Sequence, residues 1–426
     1  MIEQFKEKFQ KQGYQNLTPI QEAVYKLMVD GNDIIGLSPT GSGKTVAFTL
    51  PVVSNLTAGD GIQAMVIEPS QELAMQTTNV MRDWAKDFDL KVLSLIGGAN
   101  VKRQHEQLKK RPEIVIGTPG RIMSLINEKR LKTNLIKQVV VDEADDLLQE
   151  GSLVKVQEIV TSFENDFQIS YFSATETDVL HNVDKYFGRS AEIIDVRNID
   201  KTRGNVKHGL FEISRGKRNE MLKRFLNIPN FRALVFVNQN NSVQKVFNYF
   251  KHLNLNSVKM LSADQNKIDR KKALDDFRMG RIKLLITTDV AARGLDIEKL
   301  PVVINFDLPD NANNYIHRVG RTGRMGEPGL VINFGDDHDL RDLKKMLKDS
   351  EYNLTKIFYY NQAIVDEVEE TNDNNAEKHR SKSVKKSRLK DNDFKVKKED
   401  ITKNNPVKKK KNRKRNQKNK GKRKNN

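Results

Sequence analysis

Eleven short apolar runs, most of them rich in β-branched residues, punctuate the chain. The first half holds "DIIGLSP" (33–39), "AMVIEP" (64–69), "KVLSLIG" (91–97), "EIVIGTP" (113–119), "QVVVDEA" (138–144) and "ISYFSAT" (169–175). The second half holds "RALVFVN" (232–238), "SVKMLSA" (257–263), "IKLLITTDV" (282–290), "VVINFDLP" (302–309) and "GLVINFG" (329–335). Near-continuous apolar runs, rather than alternating ones, mark parallel strands covered on both faces. Amphipathic stretches separate them, which predicts βαβ units and an α/β fold with parallel sheets. A single sheet of eleven strands is unfavourable, so two α/β domains are expected, joined near the polar stretch "NIDKTRGNVK" (198–207). The similar strand–helix grammar of the two halves suggests a duplicated fold. The expected boundaries are 1–200 and 211–360 for the two domains, with linkers at 201–210 and 361–377.

Charge refines this division. The 426 residues carry a formal net charge of +18. Residues 378–426 alone hold 23 Lys and Arg against four Asp and Glu, so residues 1–377 hold 51 bases and 52 acids. The body is nearly neutral, and the excess sits in the tail. "VDEVEETNDNNAE" (365–377), with six acids and no base, precedes that tail as an acidic linker. Self-repelling charge and scarce apolar surface make the tail a disordered segment by expectation. Such a polycation implies a polyanionic partner and is expected to supply most of the long-range attraction to it. The chain has no cysteine, which excludes disulfides and thiolate metal sites. There is no 18-residue apolar run and no apolar core in "MIEQFKEKFQKQGY", so neither a spanning helix nor a secretory signal is expected. A cytoplasmic protein without membrane contact follows. The seven His show no metal-ligand spacing, and the lone Trp84 reads as a packing residue.

The strongest chemical signal is "SPTGSGKT" (38–45), between a predicted strand and a predicted helix. Glycines there let backbone N–H groups curl around phosphates at a helix N-terminus. Lys44 can reach the outer phosphates and the Thr45 hydroxyl can bind Mg2+. The first glycine of the general phosphate-loop pattern is absent, and a ligand-free Gly/Ser-rich turn is the plain alternative. "VVVDEADDLL" (139–148) ends a buried strand in Asp142 and Glu143, the first placed to hold Mg2+ through water and the second to activate a water. By itself an acidic run is more often a solvated helix start. "YIHRVGRTGRMG" (315–326) spaces Arg318, Arg321 and Arg324 three apart, nearly one face if helical, which suits a polyphosphate. A solvated arginine-rich helix is its alternative.

Taken in order, these segments resemble the motifs of the DEAD-box ATP-dependent RNA helicases, a family built on two RecA-like domains. "TPIQ" (18–21) resembles the Q motif, "PTGSGKT" (39–45) motif I and "PSQELAMQ" (69–76) motif Ia. "GG" (97–98) and "TPGR" (118–121) resemble RNA-binding motifs, and "DEAD" (142–145) and "SAT" (173–175) resemble motifs II and III. "VFVN" (235–238), "ARGLD" (292–296) and "HRVGRTGR" (317–324) resemble motifs IV, V and VI. The phrase "IGGANVKRQ" is similar to short bacterial members linked to ribosome assembly.

The resemblance implies roles. Gln21 would read adenine, and Pro39, Thr40, Gly41, Ser42, Gly43, Lys44 and Thr45 would cradle the ATP phosphates. Asp142 and Glu143 would serve Mg2+ and water, Asp296 the ribose, and Arg321 and Arg324 the γ-phosphate. Asp145, Ser173, Thr175, His317 and Arg318 would couple the nucleotide to domain closure. RNA would lie across Gly98, Thr118 and Arg121 of the first domain and Arg270, Thr288, Arg293 and Gly294 of the second. Backbone contacts of this kind carry little sequence readout. Motif Ia departs from the family, with Gln71 where an Arg is usual, which removes one cationic phosphate contact. The expected function is RNA-stimulated ATP hydrolysis by a monomer, coupled to local unwinding of short duplexes or remodelling of structured, including ribosomal, RNA–protein complexes. An RNA annealer or scaffold with weak ATPase is the rival, and a DNA helicase a third reading.

Overall fold

The computed structural model describes residues 3–11, 16–97, 101–149, 151–202, 204–262, 264–292, 297, 300–324, 326–348 and 350–367. Seven strands, β1 Ile34–Leu37, β2 Ala64–Ile67, β3 Val92–Leu95, β4 Ile114–Gly117, β5 Gln138–Val141, β6 Gln168–Ser173 and β7 Glu192–Asp195, form one parallel sheet. Its order is β3-β4-β2-β5-β6-β1-β7. Seven more, β8 Val206–Glu212, β9 Ala233–Phe236, β10 Val258–Met260, β11 Leu284–Thr287, β12 Val302–Asn305, β13 Gly329–Gly335 and β14 Leu354–Lys356, form a second parallel sheet. Its order, β10-β11-β9-β12-β13-β8-β14, is the first order restarted at β8. The two α/β domains thus repeat one RecA-like topology.

Alternate side chains along the first sheet supply two separate cores. Ile34, Val66, Ile114, Val140 and Phe172 pack under helices Pro19–Val29, Lys44–Ser54 and Gln71–Ala85. Ile35, Met65, Val115, Val139 and Ile169 pack on the other face with Ile122, Leu125 and Val156. Trp84 is buried, and the rings of Phe5 and Phe9, each 5.8 Å from it, seat the helix Glu3–Lys11.

Three strands of the sheets escape the apolar pattern. β7 is an exposed edge, and β14 is a short, half-exposed one. β8 carries Lys207, His208 and Gly209, and its ladder to β13 and β14, not its composition, makes it a strand. His208 is nonetheless buried, its Nδ1 2.8 Å from the Tyr315 hydroxyl. β8 occupies the second half of the stretch expected to be the 201–210 linker. The start of the 361–377 acidic linker is also structured, since β15 Phe358–Tyr360 and β16 Ala363–Val365 form an antiparallel hairpin. The basic tail lies outside the described residues.

Candidate active site and nucleic-acid interface

The chemistry-bearing residues of the first domain gather at the C-terminal ends of β1, β2, β5 and β6. The β1 end is stitched to β6 by Ser38 N–H donating to the Ser173 carbonyl at 3.1 Å. The loop that follows turns into the helix Lys44–Ser54 through Gly43, whose φ is +89°. A Cβ at Gly43 would also meet Gln21 Nε2 at 2.6 Å, so glycine is required twice over. Gln21 donates from Nε2 to the Gly43 carbonyl at 3.3 Å and accepts from Thr18 N–H at 3.0 Å. The Q-motif segment is therefore tied directly to the phosphate loop. Ser38 and Ser42 hydroxyls bond at 2.8 Å across the loop. Lys44 is buried, and its Nζ donates to the Ser38 and Pro39 carbonyls at 3.2 and 3.4 Å. Those carbonyls are the donors' alternative to phosphate oxygens. Thr45 is half-buried on the first helical turn.

Asp142 and Glu143 follow directly on β5. Glu143 sits in the left-handed region at φ 46°, ψ 53°, a conformation that costs a non-glycine residue about 1–2 kcal/mol and that strained sites retain. Its Oε2 is buried without a hydrogen-bond partner. Burial, then the Glu143 charge, push the Asp142 carboxyl up to about 7, against the pull of Lys44. An oxygen-seeking cation would relieve that cost. Among the described residues no three acidic or His side chains are grouped to hold a metal alone. One carboxylate and one hydroxyl, completed by substrate phosphates, is the donor set Mg2+ uses, and Asp142 with Thr45 fits it.

Asp145 joins the domains. Its Oδ2 accepts from the Thr175 hydroxyl and lies 3.1 Å from His317 Nε2. Burial alone would raise this carboxyl, yet His317 and Thr175 hold it below the usual carboxylate range. Burial likewise opposes the His317 imidazolium, but Asp145, with Glu143 and Asp146, pushes it up to about 9. Ser173 shapes the turn, donating to the Thr175 carbonyl at 2.7 Å. Motif VI also touches the phosphate loop. Arg324 packs along Gly41, and a Cβ on Gly320 would overlap the Thr40 hydroxyl. Thr40 Oγ1 is buried without a hydrogen-bond partner. A cavity of about 20 Å³, room for one water, lies between Glu143 and Asp146 on one side and His317 and Arg321 on the other.

The three arginines do not share a helical face. The helix Ala312–Val319 stops at Gly320, so Arg321 and Arg324 follow it. Arg318 turns inward and is 1 % exposed. It donates to both Asp289 oxygens at 2.6 and 2.7 Å, to Asn238 at 2.8 Å, to Asn305 at 3.2 Å and to the Asp307 carbonyl at 2.7 Å. Arg321 and Arg324 instead bond the His317 and Gly320 carbonyls through Nε, at 3.3 and 2.8 Å.

The residues expected to contact RNA form a second set. Thr118 holds the N-cap position before the helix Pro119–Asn127, with no side-chain capping bond, and Arg121 donates from Nε to Gln104 at 3.0 Å while its Nη2 is buried and unpaired. Arg270 spans the domains, with Nη2 3.0 Å from Glu72 Oε1 and 2.7 Å from the Ala291 carbonyl. Thr288 is buried and accepts from Ala291 N–H at 3.3 Å. Gly98, Arg293, Gly294 and Asp296 lie outside the described residues.

Glu68 was not among the expected site residues. It follows β2 as Asp142 follows β5, is fully buried, and accepts from the Thr77 hydroxyl at 2.5 Å. Burial, followed by the charge of Asp142, raises its carboxyl well above the ordinary range. An acid closing an apolar run was the available signal.

Two family models match the chain, the DEAD/DEAH box helicase over residues 18–183 and the helicase conserved C-terminal domain over 217–326. The chain belongs to the DEAD-box ATP-dependent RNA helicases. It is similar to the probable ATP-dependent RNA helicase YfmL of Bacillus subtilis, at 38% identity over 83% of this chain and 94% of that one. It is also similar to the DEAD-box ATP-dependent RNA helicase CshC of Bacillus cereus, at 33% identity over 80% and 87%. Among solved structures, S. cerevisiae Dbp5 bound to RNA and ADP BeF3 superposes with a TM-score of 0.75, at 28% identity over 84% of this chain and 93% of that one. The protein is accordingly an ATP-using, RNA-binding helicase. Among the described residues no helix is long and apolar enough to cross a membrane.

Proposed function

We propose that this helicase couples RNA-stimulated ATP hydrolysis to local opening of short RNA duplexes or to remodelling of RNA–protein complexes. The observation that carries the reading is the Asp145 carboxylate, held at once by Thr175 of the first domain and His317 of the second. One buried group then reports nucleotide state to both domains. In this reading Gln21 recognises adenine, and residues 39–45 hold the phosphates. Lys44 leaves the Ser38 and Pro39 carbonyls for the phosphate oxygens. Asp142 and Thr45 would hold Mg2+, which would neutralise phosphate charge. Glu143, with its unpaired Oε2, orients the attacking water and accepts its proton. Arg321 and Arg324 complete the phosphate site from the second domain, and Asp296 keeps its expected role at the ribose. Arg318 works inside the second domain, bracing the Asp289 segment against motif VI.

RNA lies over Thr118, Arg121, Arg270 and Thr288, together with Gly98, Arg293 and Gly294. Each ligand touches both domains, so ATP and RNA favour the closed arrangement together, and loss of phosphate releases it. The domain limits near residues 200 and 360, a cytoplasmic monomer, and a structured ribosomal RNA target belong to the same proposal. The deciding experiment measures ATP hydrolysis with RNA, with DNA and with neither, for the wild type and Glu143→Gln. Stimulation by RNA alone, lost by about 100-fold or more in the variant, is the expected result. Equal rates in all three conditions would make the protein a binding scaffold instead.

A further inference from the structure

The near-neutral body hides a strongly basic strip. Residues 101–137 hold ten Lys and Arg against three acids, which leaves 41 bases and 49 acids in the rest of residues 1–377. Two of the three acids are already paired, Glu106 with Lys109 at 2.7 Å and Glu128 with His105 at 3.4 Å. The third, Glu113, is fully buried and accepts from the Gly59 and Lys91 backbone at 2.8 and 2.7 Å. Helices Val101–Leu108 and Pro119–Asn127 run through this strip. Both start beside the proposed RNA contacts and both end about 12–14 Å away at one groove.

That groove has a volume of about 560 Å³, inside the range of about 300–1,000 Å³ typical of ligand sites. Its floor is apolar, with Ile62, Leu108 and a Leu135 that is 40 % exposed. Its rim carries exposed Lys129, Arg130 and Lys132, whose side chains make no hydrogen bond or ion pair among the described residues. Two rim residues, Arg111 and Lys129, adopt left-handed backbone at φ 51° and 54° where the helices end. Cations near a helix C-terminus often only balance its dipole. Two such termini carry together about one negative charge, and the groove is lined by five Lys and Arg.

We propose that this groove is an accessory RNA site, which takes the sugar–phosphate backbone of RNA flanking the segment held at Thr118 and Arg121. The inference rests on the RNA-binding reading of that core site. Exposed Lys102 and Arg103 lie on the helix that runs between the two sites, which suits an extended polyanion. The apolar floor takes an unstacked base or ribose, as single-stranded RNA sites do. The function is grip on long RNA, with no readout of sequence.

The chain has no cysteine, so Asn134→Cys at the groove edge gives a single attachment point for an iron–EDTA cleavage probe. The labelled full-length protein is mixed with a non-hydrolysable ATP analogue and an end-labelled RNA longer than the core footprint. Expected cuts fall on nucleotides flanking the protected core and vanish in the added Lys129→Asn, Arg130→Gln, Lys132→Gln background. Asn is chosen at 129 because it tolerates left-handed backbone. In the same triple variant without the probe, the slope of log affinity against log salt falls by about 2, three phosphates at about 0.7 each. RNA-stimulated ATPase of the labelled protein is measured in parallel. Stimulation retained without flanking cuts, or cuts that persist in the triple variant, overturns the accessory site alone. Loss of RNA stimulation in the unlabelled wild type would overturn the core reading and this inference with it.

Discussion

The ion pair between Asp145 and His317 makes a pH-dependent prediction. Asp145, with smaller pushes from Glu143 and Asp146, raises His317 from 6.5 to about 9, which corresponds to about 3 kcal/mol for the acidic set together. For a raised histidine, that stability is complete below its ordinary pKa and is lost as pH rises through about 9. The depressed Asp145 carboxyl works in the opposite sense, losing its share only as pH falls below the carboxylate range, outside any working condition. The His317 side chain is 16 % exposed, so solvent screens part of the interaction, and a ten- to hundredfold effect on domain coupling is the reasonable span. Because one partner lies in each domain, the effect falls on the closed arrangement rather than on either fold. His317→Gln keeps a hydrogen-bond donor and removes the charge. RNA-stimulated kcat/KM, measured from pH 6.5 to 10, should fall through an alkaline limb near 9 in the wild type. The variant should start ten- to hundredfold lower at pH 7 and lack that limb. Asp145→Asn and the double variant close a cycle that measures the coupling. Identical pH profiles for wild type and His317→Gln, with unchanged melting temperatures, would refute the argument.

Three other substitutions separate fold from function. Arg318→Met leaves Asp289 without its partner, and breaking such a pair costs about 3 kcal/mol, or some 6–12 °C in the melting temperature; calorimetry should find this with nucleotide binding intact. Gly320→Ala places a methyl on the Thr40 hydroxyl, so RNA-stimulated ATPase should fall at least tenfold while fluorescent-nucleotide titration and thermal melts stay near wild type. Removal of residues 378–426 removes a net +19. It should raise the RNA concentration for half-maximal ATPase and flatten its salt dependence, with turnover at saturating RNA unchanged.

The apolar runs located the buried strands, but their predicted ends run past the observed ones in a consistent direction. "DIIGLSP" ends as a strand at Leu37, "EIVIGTP" at Gly117 and "QVVVDEA" at Val141. The residues beyond, Ser38, Thr118 and Asp142, belong to the site. They are polar yet buried or half-buried, so burial does not separate the last ladder residue from the first functional one. Hydrogen-bond pairing decides it. The same reasoning explains β8, where the neighbours β13 and β14 supply the ladder that "VKHGLFE" does not advertise.

The site was legible where a motif is contiguous and illegible where it depends on sheet order. Arg318, Arg321 and Arg324 are identical letters at equal spacing. Only the helix end at Gly320 sends the first into the second domain's core and leaves the other two beyond the helix. Glu68 and Asp142 are distant in sequence, yet β2 and β5 are neighbours in register, with Ile67 opposite Val141. The next residue on each strand is then an acid, and the pair shares one buried end of the sheet. Glu72 and Arg270 follow the same logic at longer range. Neither signals anything alone, and their 3.0 Å contact exists only once two domains are placed face to face. That contact engages Nη2 of an arginine proposed for RNA, so Glu72 competes with a phosphate for that nitrogen. Gln71 beside it has already given up the family's usual charge, and the basic groove at Lys129 lies outside this competition. In the proposed reading, grip on RNA is weighted away from the interdomain cleft, toward cations that closure does not have to release.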